Sequence, residues 1–229
     1  LALHRRTADS FCAASLKICE DLRTRKGTLG ARIEYTPVPF QSELARGDVT
    51  LTERPSIPAL PEPYFCFVGD LSRHKGIHLL LEAHSRLLGS ANYNLSLVLA
   101  GRDKSGGSVA RHAGDRTHYL GVLSHEEALE VIRGASFLIL PSISEGIPRV
   151  CLEALALGTP IVYPPGIEEF RRHIPGYMLP EISVEAIEGM IRKMLEDKEH
   201  TQEYPLYLHD ARRLQERLKS LYSPQVKAV

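Results

Sequence analysis

The sequence has no excess of either charge: 28 Lys and Arg face 28 Asp and Glu, with no long run of one sign. Nothing in that balance calls for nucleic acid or an anionic membrane as the main partner, so any basic site must be local. Cysteine is scarce, with Cys12, Cys19, Cys66 and Cys151 the only four. None forms a CxxC pair and three lie in apolar surroundings, which fits reduced, buried thiols in a cytoplasmic protein better than a disulfide framework. No apolar stretch reaches the roughly 18 to 20 residues needed to span a bilayer, and no secretory apolar region is found. DxD pairs and His/Cys clusters are missing too, so no metal site is read here. The ten histidines are scattered, and His74 and His125, on loops, are read as surface residues.

What is there is enough for a packed core: 229 residues, 43% of them apolar, fit one ordinary domain plus an appendage. Short apolar runs alternate with segments of helical spacing. "YFCFVG" (64–69), "LSLVLAG" (95–101), "HYLGV" (118–122), "FLIL" (137–140) and "PIVYP" (160–164) read as strands. Residues 78–89, 126–135, 148–158 and 184–197 read as helices. Strands apolar on both faces, alternating with helices, imply a doubly wound α/β domain with a parallel sheet over 63–200. Ser124 with Glu127 forms a capping box, Pro148 suits a first helical turn, and Gly158 with Pro160 closes that helix.

Outside that domain, 8–25 reads as a helix and 31–38 as a strand, so residues 1–40 are assigned to another domain. The proline-bearing stretch 41–62 reads as a linker. In the tail, 201–229, a charged amphipathic helix spans 207–222 and is expected to pack across the sheet or onto a neighbour. Basic residues between Lys17 and Lys26 fit a solvated face as well as a membrane surface. The chain opens at Leu1, without methionine and within what reads as structured sequence, as a fragment or processed chain does.

Two loops attract chemistry. In "SEGIPRVCLEALALG" (144–158), Gly146 and Ile147 offer free amides at the start of a helix, a place that favours an anion such as a diphosphate. Glu145 and Glu153 flank that start, and a carboxylate beside phosphate is repelled. Each is better used accepting hydrogen bonds from hydroxyl groups of a ribose or a sugar ring. In "VGDLSRHKGIHLLLEA" (68–83), a glycine turn places Arg73 and Lys75 at the carboxyl end of another strand. Lys75 then becomes a phosphate clamp if both loops face one crevice.

Taken in order, "FVGDLSRHKGIHLLLEA", "LVLAG" and "YLGVLSHEEALEVIRGASFLILPSISEGIPRVCLEALALGTPIV" resemble the donor-binding, C-terminal half of the group 1 (family 4) retaining glycosyltransferases of GT-B fold. The resemblance covers about 63–197 and is most specific over 136–162, where Glu145 and Glu153 fall on the family's paired glutamates. It implies that Lys75 and the amides of Gly146 and Ile147 bind the donor diphosphate, and that Glu153 holds the ribose hydroxyls. Glu145 is implied to lie by the transferred sugar, orienting it and stabilising positive charge at its anomeric carbon. Backbone at Gly121 and Val122 is implied to contact the base. No cofactor is implied beyond the nucleotide-diphosphate sugar itself, and no metal.

The implied partners are a glycan or lipid-linked acceptor and an N-terminal acceptor domain, in cis or as a separate chain. The implied setting is the cytoplasm, with the inner face of the membrane open. Two alternatives stand beside this reading: a non-catalytic nucleotide-sugar-binding subunit that docks a partner, and a GT-B epimerase. Where the family often carries an arginine after the first glycine, this chain has Asp70, a charge reversal that weakens diphosphate binding unless Arg73 replaces it. "PPGIEEF" matches the family's later glycine pair and glutamate imperfectly, at Gly166 and Glu168 or Glu169.

Overall fold

The computed structural model describes residues 10–25, 31–40, 57–90, 93–114, 116–197, 200 and 202–222. Residues 41–56 of the expected linker and 223–229 of the tail lie outside them. The chain divides into two compact units, Leu1–Val49 with Pro205–Val229, and Thr50–Tyr204.

The larger unit is the doubly wound α/β domain. Its sheet holds β3 (Tyr64–Val68), β5 (Ser96–Ala100), β7 (Thr117–Tyr119), β8 (Leu138–Ile139) and β9 (Ile161–Val162) in the order β7-β5-β3-β8-β9. Every pairing is parallel. Such pairing needs crossovers, which are supplied by α2 (Ile77–Leu88), α3 (Ser108–His112), α4 (His125–Gly134) and α5 (Arg149–Ala156), with α6 (Glu168–His173) and α7 (Val184–Glu196) following the last strand. The strands are buried on both faces: Phe65, Cys66 and Phe67 of β3 and Leu97, Val98 and Leu99 of β5 are wholly excluded from solvent. Continuous apolar runs rather than alternating ones are what a sheet covered on both sides requires. A two-residue parallel ladder, β4 (Leu71–Ser72) with β6 (Asp103–Lys104), extends the sheet's carboxyl edge.

The smaller unit corrects one expectation. Residues 8–25 are not a single helix: β1 (Ser10–Ala13) pairs in parallel with β2 (Arg32–Tyr35), and only Leu16–Thr24 forms a helix, α1. Ser15, in extended conformation, accepts a hydrogen bond from the Ile18 amide and starts the helix there. A serine that caps cannot also continue a helix through itself, so the apolar residues before it go to a strand. The C-terminal helix α8 (Ala211–Tyr222) belongs to this unit, where Arg217 pairs with Glu34 of β2 at 3.1 Å. All four cysteines are free, Cys12 exposed and the other three buried.

One buried polar group ties the domain together. His84 of α2 lies between Leu95, whose carbonyl is 3.2 Å from Nε2, and Thr117 of β7, whose hydroxyl is 3.1 Å from Nδ1. A carbonyl can only accept, so Nε2 carries the proton and Nδ1 accepts from the hydroxyl. The ring also meets Phe65 and Tyr93 edge-on. Burial pushes its pKa from 6.5 down to about 4. Between those values the unfolded imidazole takes a proton that the folded one refuses, so stability holds above pH 6.5 and falls as pH drops toward 4. The loss from this residue should total about 3 kcal/mol. Urea unfolding followed from pH 7 to 4 should show a shallower decline in His84→Gln than in the wild type; parallel curves would assign the acid sensitivity elsewhere.

Candidate functional site

Connections from β3 run outward to β5 and β7 on one side of the sheet, then return to β8 and β9 on the other. The reversal falls between β3 and β8, which pair at Cys66 and Leu138. The loops leaving these two strands lie at the reversal, where a sheet of this kind usually forms its ligand crevice. The loops here are 69–76 and 141–148, the two that carry the glutamate and lysine candidates.

Glycine makes their approach possible. Gly76 has φ +72°, and a Cβ there would stand 2.0 Å from the Pro141 carbonyl oxygen. The Ile143 amide donates to the His74 carbonyl at 2.9 Å, closing the contact. Clamped in this way, the loops bring Lys75 Nζ to 2.5 Å from Glu145 Oε1. The pair is largely sheltered, with side-chain exposures of 29% for Lys75 and 11% for Glu145. A bond between residues seventy positions apart is thereby fixed at the crevice mouth.

The helices behind this pair lack the serine caps that start two others. α4 and α7 start with serine caps at Ser124 and Ser183, the first of them the expected capping box with Glu127. α2 and α5, which follow the two crevice loops, start at Gly76 and Pro148 with no side-chain cap and no acidic residue in the first turn. Their first amides and the positive ends of their dipoles therefore remain available at the crevice. Pro148 precedes the first helical residue rather than occupying it, and Gly158 closes α5 with φ +75°. Gly146 is exposed and Ile147 buried.

Glu153, deeper on α5, is mostly buried and faces His125 at the start of α4, whose Nδ1 is 3.9 Å from Glu153 Oε1. Burial raises the Glu153 carboxyl above its ordinary range, with His125 and Arg149 pulling it back. His125, expected as a mere surface residue, is half-exposed but next to this carboxylate. The Cys151 thiol between the two glutamates in sequence is fully buried and pushed well above its usual value by that burial, which makes it inert packing.

At the carboxyl ends of β3, β5 and β7 lies a cleft of about 240 Å³ lined by Gly69, Asp70, Gly101, Arg102, Val122 and Leu123 among others; Lys75, Glu145, Gly146, Ile147 and Glu153 are not among its lining residues. It brings Val122 into the site, next to Gly121, whose φ of +74° ends the segment after β7. Val122 is 70% exposed. Asp70 is not left as an unopposed negative charge: Lys104 of β6 sits 2.5 Å away and holds the carboxyl below its ordinary range. Arg73 is exposed on the turn, adds to the burial that disfavours protonation of His78, and is not among the cleft's lining residues. Glu168 pairs with Arg171 and Arg172 on the surface, while Glu169 is buried.

Sequence inspection missed Lys104 and Arg102. A signal existed: "AGRDKSGG" follows β5 as "VGDLSRHKG" follows β3, with glycine first and cations after. Among the described residues no group of three or more His, Cys, Asp or Glu is placed to hold a metal ion. Gly76→Ala is the sharpest test of the loop clamp. The strained φ and the overlap with Pro141 should together cost about 2 kcal/mol or more in chemical unfolding; a cost below about 0.5 kcal/mol would show that the loops are not held this closely.

The family described as "Glycosyl transferases group 1" matches residues 51–206. An uncharacterized glycosyltransferase of Methanocaldococcus jannaschii is 31% identical over 110 residues, covering 44% of this chain and 27% of that protein. An N,N'-diacetylbacillosaminyl-diphospho-undecaprenol alpha-1,3-N-acetylgalactosaminyltransferase of Campylobacter jejuni is 34% identical, covering 39% of this chain and 23% of its own length. Among solved structures, sucrose-phosphate synthase of Thermosynechococcus elongatus superposes with a TM-score of 0.69 at 20% identity, over 96% of this chain and 59% of that one. Trehalose 6-phosphate synthase of Burkholderia multivorans gives 0.70 at 15% identity, over 96% and 57%. The chain thus spans about a quarter of the curated relatives and under three fifths of these structures, whose likeness concerns the fold. With the family matched over residues 51–206, the chain belongs to the group 1 glycosyltransferases.

Proposed function

We propose that this chain carries the donor site of a retaining glycosyltransferase, which moves a sugar from a nucleotide diphosphate to a glycan or lipid-linked acceptor. The observation that carries this reading is the Lys75 to Glu145 ion pair at the reversal point of the sheet. It sets a cation beside uncapped helix starts, where a diphosphate is stabilised, and a carboxylate next to them, where one is not.

Each group then has a task. Lys75 and the amides at Gly146 and Ile147 bind the diphosphate and stabilise the charge that it gains on leaving. Glu153 accepts hydrogen bonds from the ribose hydroxyls, and main chain at Gly121 and Val122 meets the base. Glu145 orients the sugar and stabilises positive charge at its anomeric carbon as the bond to the diphosphate oxygen breaks. The acceptor oxygen bonds to that carbon on the same face, and the acceptor's proton passes to the departing diphosphate. The Campylobacter relative is named for an acceptor on diphospho-undecaprenol, in line with a lipid-linked acceptor here. In this reading an acceptor domain, in cis or on a separate chain, completes the active site, and the enzyme works in the cytoplasm, at or near the inner face of the membrane.

The two residues of the pair should separate on mutation. Lys75→Ala should cost about 1.5 to 3 kcal/mol of affinity for UDP or GDP in calorimetric titration; unchanged affinity removes the clamp. Glu145→Gln frees Lys75 from its partner, so nucleoside diphosphate should bind as well as or better than in the wild type. Turnover of the sugar donor by the enzyme with its acceptor domain should nonetheless fall about a hundredfold or more. Loss of nucleotide binding in Glu145→Gln would instead give that carboxylate a structural role. A third variant, Glu153→Ala, should lose affinity for ribonucleotides and not for analogues lacking the ribose hydroxyls; an equal loss with both would make Glu153 a packing residue.

A further inference from the structure

A diphosphate brings at least two negative charges into the crevice, yet both lysines near it are already engaged. Lys75 is paired with Glu145 and Lys104 with Asp70. Arg73 stands exposed beside His78, outside the cleft lining. Arg102 is different: it lines the cleft with Gly69, Asp70 and Gly101, and makes no ion pair among the described residues.

Its position is also fixed. The Arg102 carbonyl accepts from the Leu71 amide at 2.9 Å, and the β4 to β6 ladder sets Leu71 opposite Asp103 and Ser72 opposite Lys104. Asp70 and Arg102 are therefore neighbours on adjacent segments at the carboxyl end of the sheet. Asp70 lies in the field of Lys104, Arg102 and Lys75 together. Around it Gly69 and Gly101 contribute no side chain, and a Cβ on Gly101 would overlap the Gly69 carbonyl oxygen. The cleft is thus floored by main chain and lined in part by Arg102, a residue whose planar guanidinium fork suits phosphate oxygens.

We propose that Arg102 is the residue that meets the donor diphosphate from the β5 side, and that Asp70 with Lys104 forms an internal charge pair that lowers the affinity Arg102 provides. The cation of the first loop has in effect moved one strand over. This inference rests on the crevice being a donor site, and the experiment separates the two.

The full chain is titrated calorimetrically, at one ionic strength, with UDP, GDP, uridine and guanosine. Whichever diphosphate binds the wild type should bind Arg102→Gln about ten- to a hundredfold more weakly, with the affinity for the matching nucleoside unchanged. Arg102→Lys should fall between, since it keeps the charge and loses the fork. Asp70→Asn should bind the diphosphate more tightly. Thermal unfolding should be the same for all of them, because both side chains are exposed. An Arg102→Gln variant that binds diphosphate like the wild type, or that loses diphosphate and nucleoside alike, overturns the assignment while Lys75→Ala still tests the donor site. Weaker binding in Asp70→Asn overturns the opposing role of the Asp70 pair. A wild type that binds neither diphosphate overturns the donor-site reading, and this inference with it.

Discussion

The backbone contact between Gly76 and Pro141 governs the site. Without it the loops after β3 and β8 would lie apart, each a solvated turn with its own charged residue. Because residue 76 has no Cβ and adopts φ +72°, the carbonyl of Pro141 can enter the space that a side chain would take. Lys75 and Glu145 then meet as neighbours, and the starts of α2 and α5 point toward one crevice. Conformational freedom at a single glycine is converted into a fixed relation between two charges.

Charge in the crevice is arranged in opposed pairs rather than as a basic bowl. Lys75 faces Glu145 and Lys104 faces Asp70, with Arg102 standing outside such a pair among the described residues. A site of this kind does not hold an anion by net charge alone. It holds one by letting an incoming group exchange for, or share, a resident carboxylate, so geometry decides where the ligand's charge comes to rest. That suits a reaction in which negative charge grows on one part of the ligand and positive charge on another.

Much of this was legible in the sequence. Apolar runs such as "YFCFV" and "SLVLA" named the central strands, because strands buried on both faces need no polar alternation. The capping box at Ser124 and the glycine stop at Gly158 were readable for the same local reason. Glu145 and Lys75 could be nominated, but their meeting could not, since seventy residues separate them and only the order of the strands brings their loops together. β1 was misread as helix because the apolar spacing of residues 8–25 carries no mark of the parallel partner at 32–35. β4 and β6, two residues each, are too short for any periodicity, and with them the pairing of Asp70 and Lys104 stayed hidden. His84 gave no local sign of burial either: its partners at Leu95 and Thr117 come from other elements.

Three glycines end three neighbouring segments of the sheet, Gly69 after β3, Gly101 after β5 and Gly121 after β7, each at positive φ. The Gly69 amide bonds the Ala100 carbonyl and the Gly101 amide bonds the Gly121 carbonyl, at 2.9 and 2.7 Å. Together they form a ledge of bare main chain, whose width is set by hydrogen bonds and not by side chains. At Gly101 the ledge admits no side chain, because any added carbon strikes the Gly69 carbonyl. Ligand preference then falls to the residues that stand up from the ledge, with the ledge itself a fixed ruler against which they are measured.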